Sequence, residues 1–321
     1  MVKIKFVDFW KNFDPEDNYF IHFFRKHFDV KLSDDPDLVI FSVYGYAHLN
    51  YQDRITLCFT GENVLPDFNR ADYALGFHHL EFPNRYLRFP LYVIYPGFER
   101  LPFTSPELDS GKLSDRKFCN FVYSNASNAD PTRTDFFKRL ARYKKVDAGG
   151  MHLNNLGYRV KDKQAFIKNY KFTIAFENSS SPGYTTEKLM EPMVANSLPI
   201  YYGNPLVNHD FNAESFIWMK DHREVDRVIE EIISLDQSED LYLEKLRQPW
   251  LTPDQAAVNW EARLVDFVRP IVTNPVKQNP GHGFLVHQNE TLDCMHELYK
   301  KRMRLNQKKR LIKKMISFGK Y

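Results

Sequence analysis

The chain has 321 residues, 43% apolar and 26% charged, with 27 Phe and 18 Tyr; this excludes a disordered or fibrous protein and exceeds one compact domain of ordinary size. The formal charge of +3 hides an asymmetry, because ten basic residues and no acid fall in residues 300–321, leaving 34 basic against 41 acidic residues, a net −7, elsewhere. A generally basic nucleic-acid binder is thereby excluded.

Residues 1–10 carry Lys3, Lys5 and Asp8 where a signal peptide needs an unbroken apolar core, and no stretch approaches the length of a membrane span. A cytoplasmic protein is expected, in which the N-x-Ser/Thr triplets at Asn125, Asn178 and Asn289 carry no glycan. Cys58, Cys119 and Cys294 are widely spaced and form no CxxC pair, which points to free thiols rather than a disulfide framework or a zinc site.

In chain order, residues 4–7 read as a strand. Asp14-Pro15 predicts a helix start, Asp as N-cap and Pro in the first helical position, with Phe20, Phe24 and Phe28 at helical spacing behind it. The apolar runs 38–42 and 55–59, bounded by polar residues, predict buried parallel strands. Residues 104–115 are rich in turn formers and poor in aromatics, the composition of a linker. Beyond them the alternation restarts: strand 118–123, helix 131–143 capped by Asp130, a strand near Val146, a helix around Ala165, strand 172–176, a helix from Thr186 and strand 198–202. Val225, Val228, Ile229, Ile232 and Ile233 then form the stripe of a sheet-covering helix. The expected architecture is two α/β halves, 1–103 and 116–270, joined by the 104–115 linker and followed by a helical basic tail over 271–321. Ligands of such sheets bind at the carboxyl ends of strands, and phosphates favour helix amino termini.

Residues 176–188 run from a strand end through a Gly/Pro loop into a helix that Thr185 or Thr186 caps, with Glu187 in its first turn and Lys188 placed to reach an anion. An ordinary capped helix with solvated charges is the competing reading, and neither GxGxxG nor GxxxxGK is present. Segment 118–133 repeats the pattern and puts Arg133 in a first helical turn, where the dipole disfavours a cation; that suggests an anionic partner such as a diphosphate, against a surface salt bridge. Glu62 follows the 55–59 strand, a position from which a carboxylate faces a cleft and takes a proton from a hydroxyl, against a plain turn carboxylate. His78-His79 is a weaker candidate for acceptor hydroxyls, with no third ligand spaced for zinc. The only tight Asp-x-Asp, Asp35-Pro-Asp37, precedes a strand instead of following one, so no essential metal site is expected. Trp250 and Trp260 read as packing residues. In the tail, Leu305, Ile312, Met315 and Ile316 share a helical face amid Lys308, Lys309, Arg310, Lys313 and Lys314, which suits an anionic membrane surface or a solvated charge run equally.

Together these residues carry a resemblance. Phe176-Glu-Asn-Ser179 with Gly183-Tyr-Thr-Thr-Glu-Lys188, followed by Leu198-Pro-Ile-Tyr-Tyr-Gly203, resembles the donor-site signature of the α-1,3/4-fucosyltransferases, glycosyltransferase family 10. Thr60-Gly-Glu-Asn63, Asp72-Tyr-Ala-Leu-Gly-Phe77, Arg85-Tyr-Leu-Arg-Phe-Pro-Leu91, Ser124-Asn125 with Arg133, and Val146-Asp-Ala-Gly-Gly150 follow in the order seen in bacterial members, over roughly residues 35 to 220.

The resemblance implies a GT-B architecture, two Rossmann-like domains facing across a cleft with C-terminal helices, acceptor recognition mainly in the first and GDP-fucose in the second. It implies inverting transfer from GDP-β-L-fucose to a β-galactosyl-GlcNAc or lactose-type acceptor, with Glu62 as general base and Arg133 and Lys188 on the donor diphosphate. Ser124, Asn125, Asn178, Tyr184 and Glu187 match other donor-site positions, Glu187 the one that steadies the fucose or its developing positive charge. Thr185 departs from the pattern, standing where many members have Val or Ile. Charge on the leaving GDP needs a metal or preorganised cations and N–H donors, and the sequence favours the second, with a divalent cation at most stimulatory. Lipid-linked or lipopolysaccharide acceptors would bring the basic tail to the inner membrane. Two rivals stand beside this reading: a GT-B transferase using another nucleotide sugar, since Arg133 and Lys188 read the diphosphate and not the hexose, and a non-catalytic glycan-binding protein on the same fold.

Overall fold

The computed structural model describes residues 1–101, 115–124 and 129–279, with the pairs 294–295, 297–298, 301–302 and 304–305. The expected linker up to residue 114, Asn125 and the tail face beyond Leu305 lie outside the described residues.

Two sheets form, and every strand pairing in both is parallel. The first takes β1 (Val2–Val7), β2 (Val30–Leu32), β3 (Leu38–Phe41), β4 (Ile55–Phe59), β5 (Tyr73–Gly76) and β6 (Tyr86–Arg88) in the order β2-β1-β3-β4-β5-β6. The second takes β7 (Lys117–Phe121), β8 (Val146–Ala148), β9 (Tyr170–Phe176), β10 (Leu198–Tyr202) and β11 (Ile217–Trp218) in the order β11-β10-β9-β7-β8. Every residue of β3, β5 and β10 is buried, which is why these strands read as continuous apolar runs. Two Rossmann-like halves with C-terminal helices make up the GT-B-like arrangement expected from the sequence. Strand order reverses between β1 and β3 and between β7 and β9, so each half opens a crevice at the carboxyl ends of those pairs.

One predicted boundary moves. The first helix is Tyr19–His27, and Asn18, not Asp14, caps it by accepting from the Ile21 amide at 3.0 Å. Asp14 instead accepts from the Glu16 amide at 2.8 Å, closing a local turn. The cause lies upstream, where Phe9 stacks on Phe13 at 4.1 Å and Asn12 takes φ 69, holding residues 9–18 as an irregular loop. Phe20 and Phe24 are buried as the spacing requires, whereas Phe28 already lies in extended backbone past the helix end. In the second half, Asp130 accepts from the Thr132 amide at 2.8 Å at the head of helix Thr132–Leu140.

The halves are clamped together. Arg88 and Asp210 meet through two hydrogen bonds of 2.8 and 2.6 Å, both side chains largely out of solvent. Burial works against the Arg88 charge, but Asp210 outweighs it and keeps the guanidinium firmly protonated. Helix Trp260–Thr273 returns to the first half, its Trp260 ring 6.1 Å from Phe89 and 6.3 Å from Tyr92, while Glu261 accepts from Lys26 and His27, each at 2.6 Å. Trp250 is buried in the core as expected.

The tail expected to be helical from residue 271 opens differently. The helix stops at Thr273 and residues 276–279 dock on the first sheet through Asp72, which is fully buried. Its carboxylate accepts from the Thr56 amide and hydroxyl (2.9 Å each), the Lys277 ammonium (2.9 Å) and the Gln278 and Asn279 amides (2.6 and 2.7 Å). Among the described residues no helix is long and apolar enough to cross a membrane. Asp72→Ala strips the acceptor from all these donors at once, and urea denaturation should register a loss of about 3 kcal/mol. A loss under about 1 kcal/mol would mean that the strap does not depend on Asp72.

Candidate functional site

The second half's crevice is organised by a carboxylate that sits in the middle of the signature without a role assigned from sequence. Glu177, directly after β9 and fully buried, accepts from the Thr186 amide at 2.7 Å and its hydroxyl at 2.8 Å, and lies 3.3 Å from the Lys188 ammonium. These bonds fold the loop after β9 back onto the start of helix Glu187–Val194, which Thr186 caps. Lys188 also reaches the Thr186 hydroxyl at 2.9 Å and Glu187 at 3.4 Å, so its ammonium stands between two carboxylates at a helix amino terminus.

The charges stabilise one another against burial. Burial disfavours the Lys188 ammonium, yet Glu177 and Glu187 outweigh it and raise its pKa well above the ordinary value. Burial likewise works against an ionised Glu187, but Lys188 and more distant Lys163 hold its carboxyl below the usual range. Burial pushes Glu177 up, opposed by Lys188 and the Thr186 donors.

The loop geometry depends on Gly183, at φ 84, where a Cβ would fall 2.4 Å from the Phe77 carbonyl oxygen. Its amide donates to Asn204 Oδ1 at 2.7 Å, and Asn204 Nδ2 donates to Thr185 Oγ1 at 3.0 Å. The unusual Thr185 hydroxyl is therefore buried with a partner.

Arg133 is 2% exposed and its hydrogen-bond partners among the described residues are uncharged, which removes the surface salt bridge as an account of it. Its guanidinium lies over the Tyr123 ring at 4.1 Å and donates to the Phe176 carbonyl (2.9 Å) and to Asn178 Oδ1 (2.8 Å). Arg133 Nε is buried with no partner among the described residues.

Across the cleft, Glu62 follows β4 and accepts from the Tyr44 hydroxyl at 2.7 Å. The neighbouring Asn63 donates to Ser179 Oγ at 2.7 Å, tying the loop of the first half to that of the second. Tyr44 comes from the loop after β3, which Asp8 secures: its carbonyl accepts from the Tyr44 amide at 3.0 Å, and its carboxylate from the Ala47 and His48 amides (2.8 Å each) and His48 Nδ1 (2.7 Å).

Glu62, Asn178, Tyr184, Glu187 and Lys188 line one cleft of about 520 Å³ between the halves, with Trp10, Phe13, Tyr44 and Tyr95 also on its walls. Arg133, Ser124, His78 and His79 do not line it. Arg133 instead braces Asn178, which does. Ser124 is exposed and accepts from Arg159 at 3.3 Å. The His78 ring stacks on Phe77 at 4.0 Å, Phe77 meets Tyr184 of the cleft wall at 5.0 Å, and His79 lies edge-on to His209 at 5.6 Å. Burial lowers the pKa of both histidines. Among the described residues no group of three or more His, Cys, Asp or Glu is arranged to hold a metal ion.

Sequence reasoning missed Glu177, Tyr123, Tyr44 and the 9–18 loop. Only Glu177 had a local signal, a carboxylate at the end of a buried strand; the partners of the others come from distant segments.

Comparison with known proteins agrees over both halves. Residues 4–95 match the Alpha-(1,3)-fucosyltransferase FucT N-terminal domain, and residues 113–262 match Glycosyltransferase family 10 (fucosyltransferase) C-term. The chain is 32% identical to the Alpha-(1,3)-fucosyltransferase FucT of Helicobacter pylori over 345 residues, spanning 91% of this chain and 69% of that protein. A crystal structure of an alpha1,3-fucosyltransferase is similar with a TM-score of 0.76 at 29% identity, over 88% of this chain and 93% of that one. Another, of an alpha1,3-fucosyltransferase with GDP-fucose, gives 0.71 at 29% identity, over 86% and 91%.

Lys188→Ala would leave the Glu177 carboxylate buried without its counter-charge, at a cost of about 3 kcal/mol in urea denaturation. An unchanged midpoint would show that Thr186 alone satisfies Glu177.

Proposed function

The chain belongs to glycosyltransferase family 10, and we propose that it is an inverting α-1,3-fucosyltransferase, passing L-fucose from GDP-β-L-fucose to a GlcNAc or glucose hydroxyl of an N-acetyllactosamine- or lactose-type acceptor. The first half receives the acceptor and the second the donor. The observation that carries this reading is the meeting of Glu62, from the first half, with the Glu187–Lys188 helix amino terminus of the second in one cleft.

Inversion requires the acceptor oxygen to approach the anomeric carbon on the face opposite GDP, so base and leaving group belong on opposite walls. Glu62 takes the acceptor proton as the new C–O bond forms, its carboxylate oriented by Tyr44. The bond from the anomeric carbon to the diphosphate oxygen breaks, and its electron pair leaves with GDP. Lys188 and the amides at the head of helix Glu187–Val194 meet that charge. Arg133 backs the clamp from behind the cleft wall, holding Asn178 in place and adding a fixed positive charge near the donor diphosphate. Glu187, kept ionised by Lys188, stands where positive charge grows on the fucose ring.

Two lysine-and-arginine charges together with helix amides supply what a metal would otherwise bring to GDP. Transfer is therefore expected to persist in excess EDTA; complete loss restored by a divalent cation would overturn this part of the reading. Glu62→Gln keeps the Tyr44 contact but cannot accept the proton, so kcat should fall about a thousandfold while GDP-fucose still binds in calorimetry. Turnover near that of the wild type would remove Glu62 from the mechanism. Comparing GDP-fucose with GDP-mannose and UDP-sugars, with linkage analysis of the product, tests the sugar itself.

A further inference from the structure

The cleft wall contributed by the first half is aromatic. Trp10, Phe13 and Tyr44 line it, and Trp10 and Tyr44 remain 39% and 51% exposed while neighbouring Phe20 is packed to 2%. Their ring centroids lie 6.5 Å apart at an interplanar angle of 82°. Large rings on a loop ordinarily collapse onto the core, and here the backbone prevents it. Trp10 is propped edge-on against Phe13 at 5.2 Å, and Phe13 against Phe9 at 4.1 Å. Asp8 and Asn12, on either side of Trp10, both occupy the left-handed region at φ 60 and 69. On the other side, a Cβ at residue 45 would fall 2.3 Å from Asp8 Oδ1, so Gly45 alone permits the close approach that holds the Tyr44 loop to Asp8. A loop that keeps two large apolar rings on the wall of an open cleft marks a binding surface, not a packing defect.

The Tyr44 hydroxyl is committed to Glu62 at 2.7 Å, which leaves its ring as the surface a ligand meets beside that carboxylate. Asp14 and Asp17 line the same cleft and present carboxylate oxygens, acceptors suited to sugar hydroxyls. A pyranose has this mixed character, an apolar C–H face ringed by hydroxyls, and amphipathic aromatic rings suit it. We infer that Tyr44 and Trp10 are two consecutive pyranose subsites for the acceptor: the ring bearing the reacting hydroxyl lies against Tyr44 within reach of Glu62, and its neighbouring ring lies on Trp10. This rests on the fucosyl-transfer reading and deepens it, making Trp10 a determinant of preference for a disaccharide over a monosaccharide.

The experiment measures kcat/KM at saturating GDP-fucose for a β-galactosyl-GlcNAc disaccharide and for a GlcNAc monosaccharide glycoside. Wild type should favour the disaccharide, Trp10→Ala should lower that preference ratio about tenfold, roughly the value of one aromatic contact, and Trp10→Phe should recover most of it. A Trp10→Ala protein that loses rate on both acceptors equally, its ratio intact, overturns the Trp10 subsite, as does a wild-type ratio near one. Wild-type protein that consumes no GDP-fucose with either acceptor overturns the fucosyl-transfer reading and the subsites with it.

Discussion

An ammonium can stay charged out of water only beside compensating negative charge, and Lys188 meets that requirement through Glu177 and Glu187. The consequences spread outward. Because Glu177 is fully buried and also binds the amide and hydroxyl of Thr186, the end of β9, the loop after it and the cap of the next helix are locked as one unit. A helix amino terminus favours an anion through its free amides, and the fixed Lys188 ammonium adds charged N–H donors at the same end of the cleft. Arg133 extends the same logic from the neighbouring helix, stacked on Tyr123 and bonded to the end of β9. In the proposed reaction, preorganisation of this kind avoids the reorganisation that water would need to stabilise a leaving diphosphate.

A site split between two halves works only if the halves keep their register. The Arg88–Asp210 pair, the Asn63–Ser179 bond and the Phe77–Tyr184 contact join them around the cleft, and helix Trp260–Thr273 with the Asp72 strap ties the carboxyl-terminal part back to the first sheet. Glu62 and Lys188 thus come from opposite halves yet face one space. The first half adds its own rigidity through Asp8, which secures the Tyr44 loop, and Tyr44 in turn orients Glu62.

Strand positions were legible because a strand buried on both faces must be apolar throughout, and the runs at 55–59 and 198–202 coincide with β4 and β10. The helix expected at Asp14 was misplaced because an Asp-Pro pair closes a turn as readily as it opens a helix, and the stacking of Phe9 on Phe13 decided between them. Arg133 stood out in the sequence as a cation in a first helical turn, but its burial did not, since nothing nearby in the chain announces that Tyr123 and Phe176 will enclose it. That Phe77, beside His78 and His79, packs on Tyr184 of the cleft wall was not legible either, because the contact joins segments over a hundred residues apart.

Sequence alone determined the two α/β halves, the strand-loop-helix segments and the identity of the charged residues at their junctions, since hydrophobic runs, caps and turn formers act between near neighbours. Only the tertiary structure decided which of those residues share the cleft, that Glu177 anchors Lys188 and that Trp10 and Tyr44 line the same cleft as Glu187. Burial and charge compensation depend on groups brought together from distant segments, and no local pattern encodes which segments those will be.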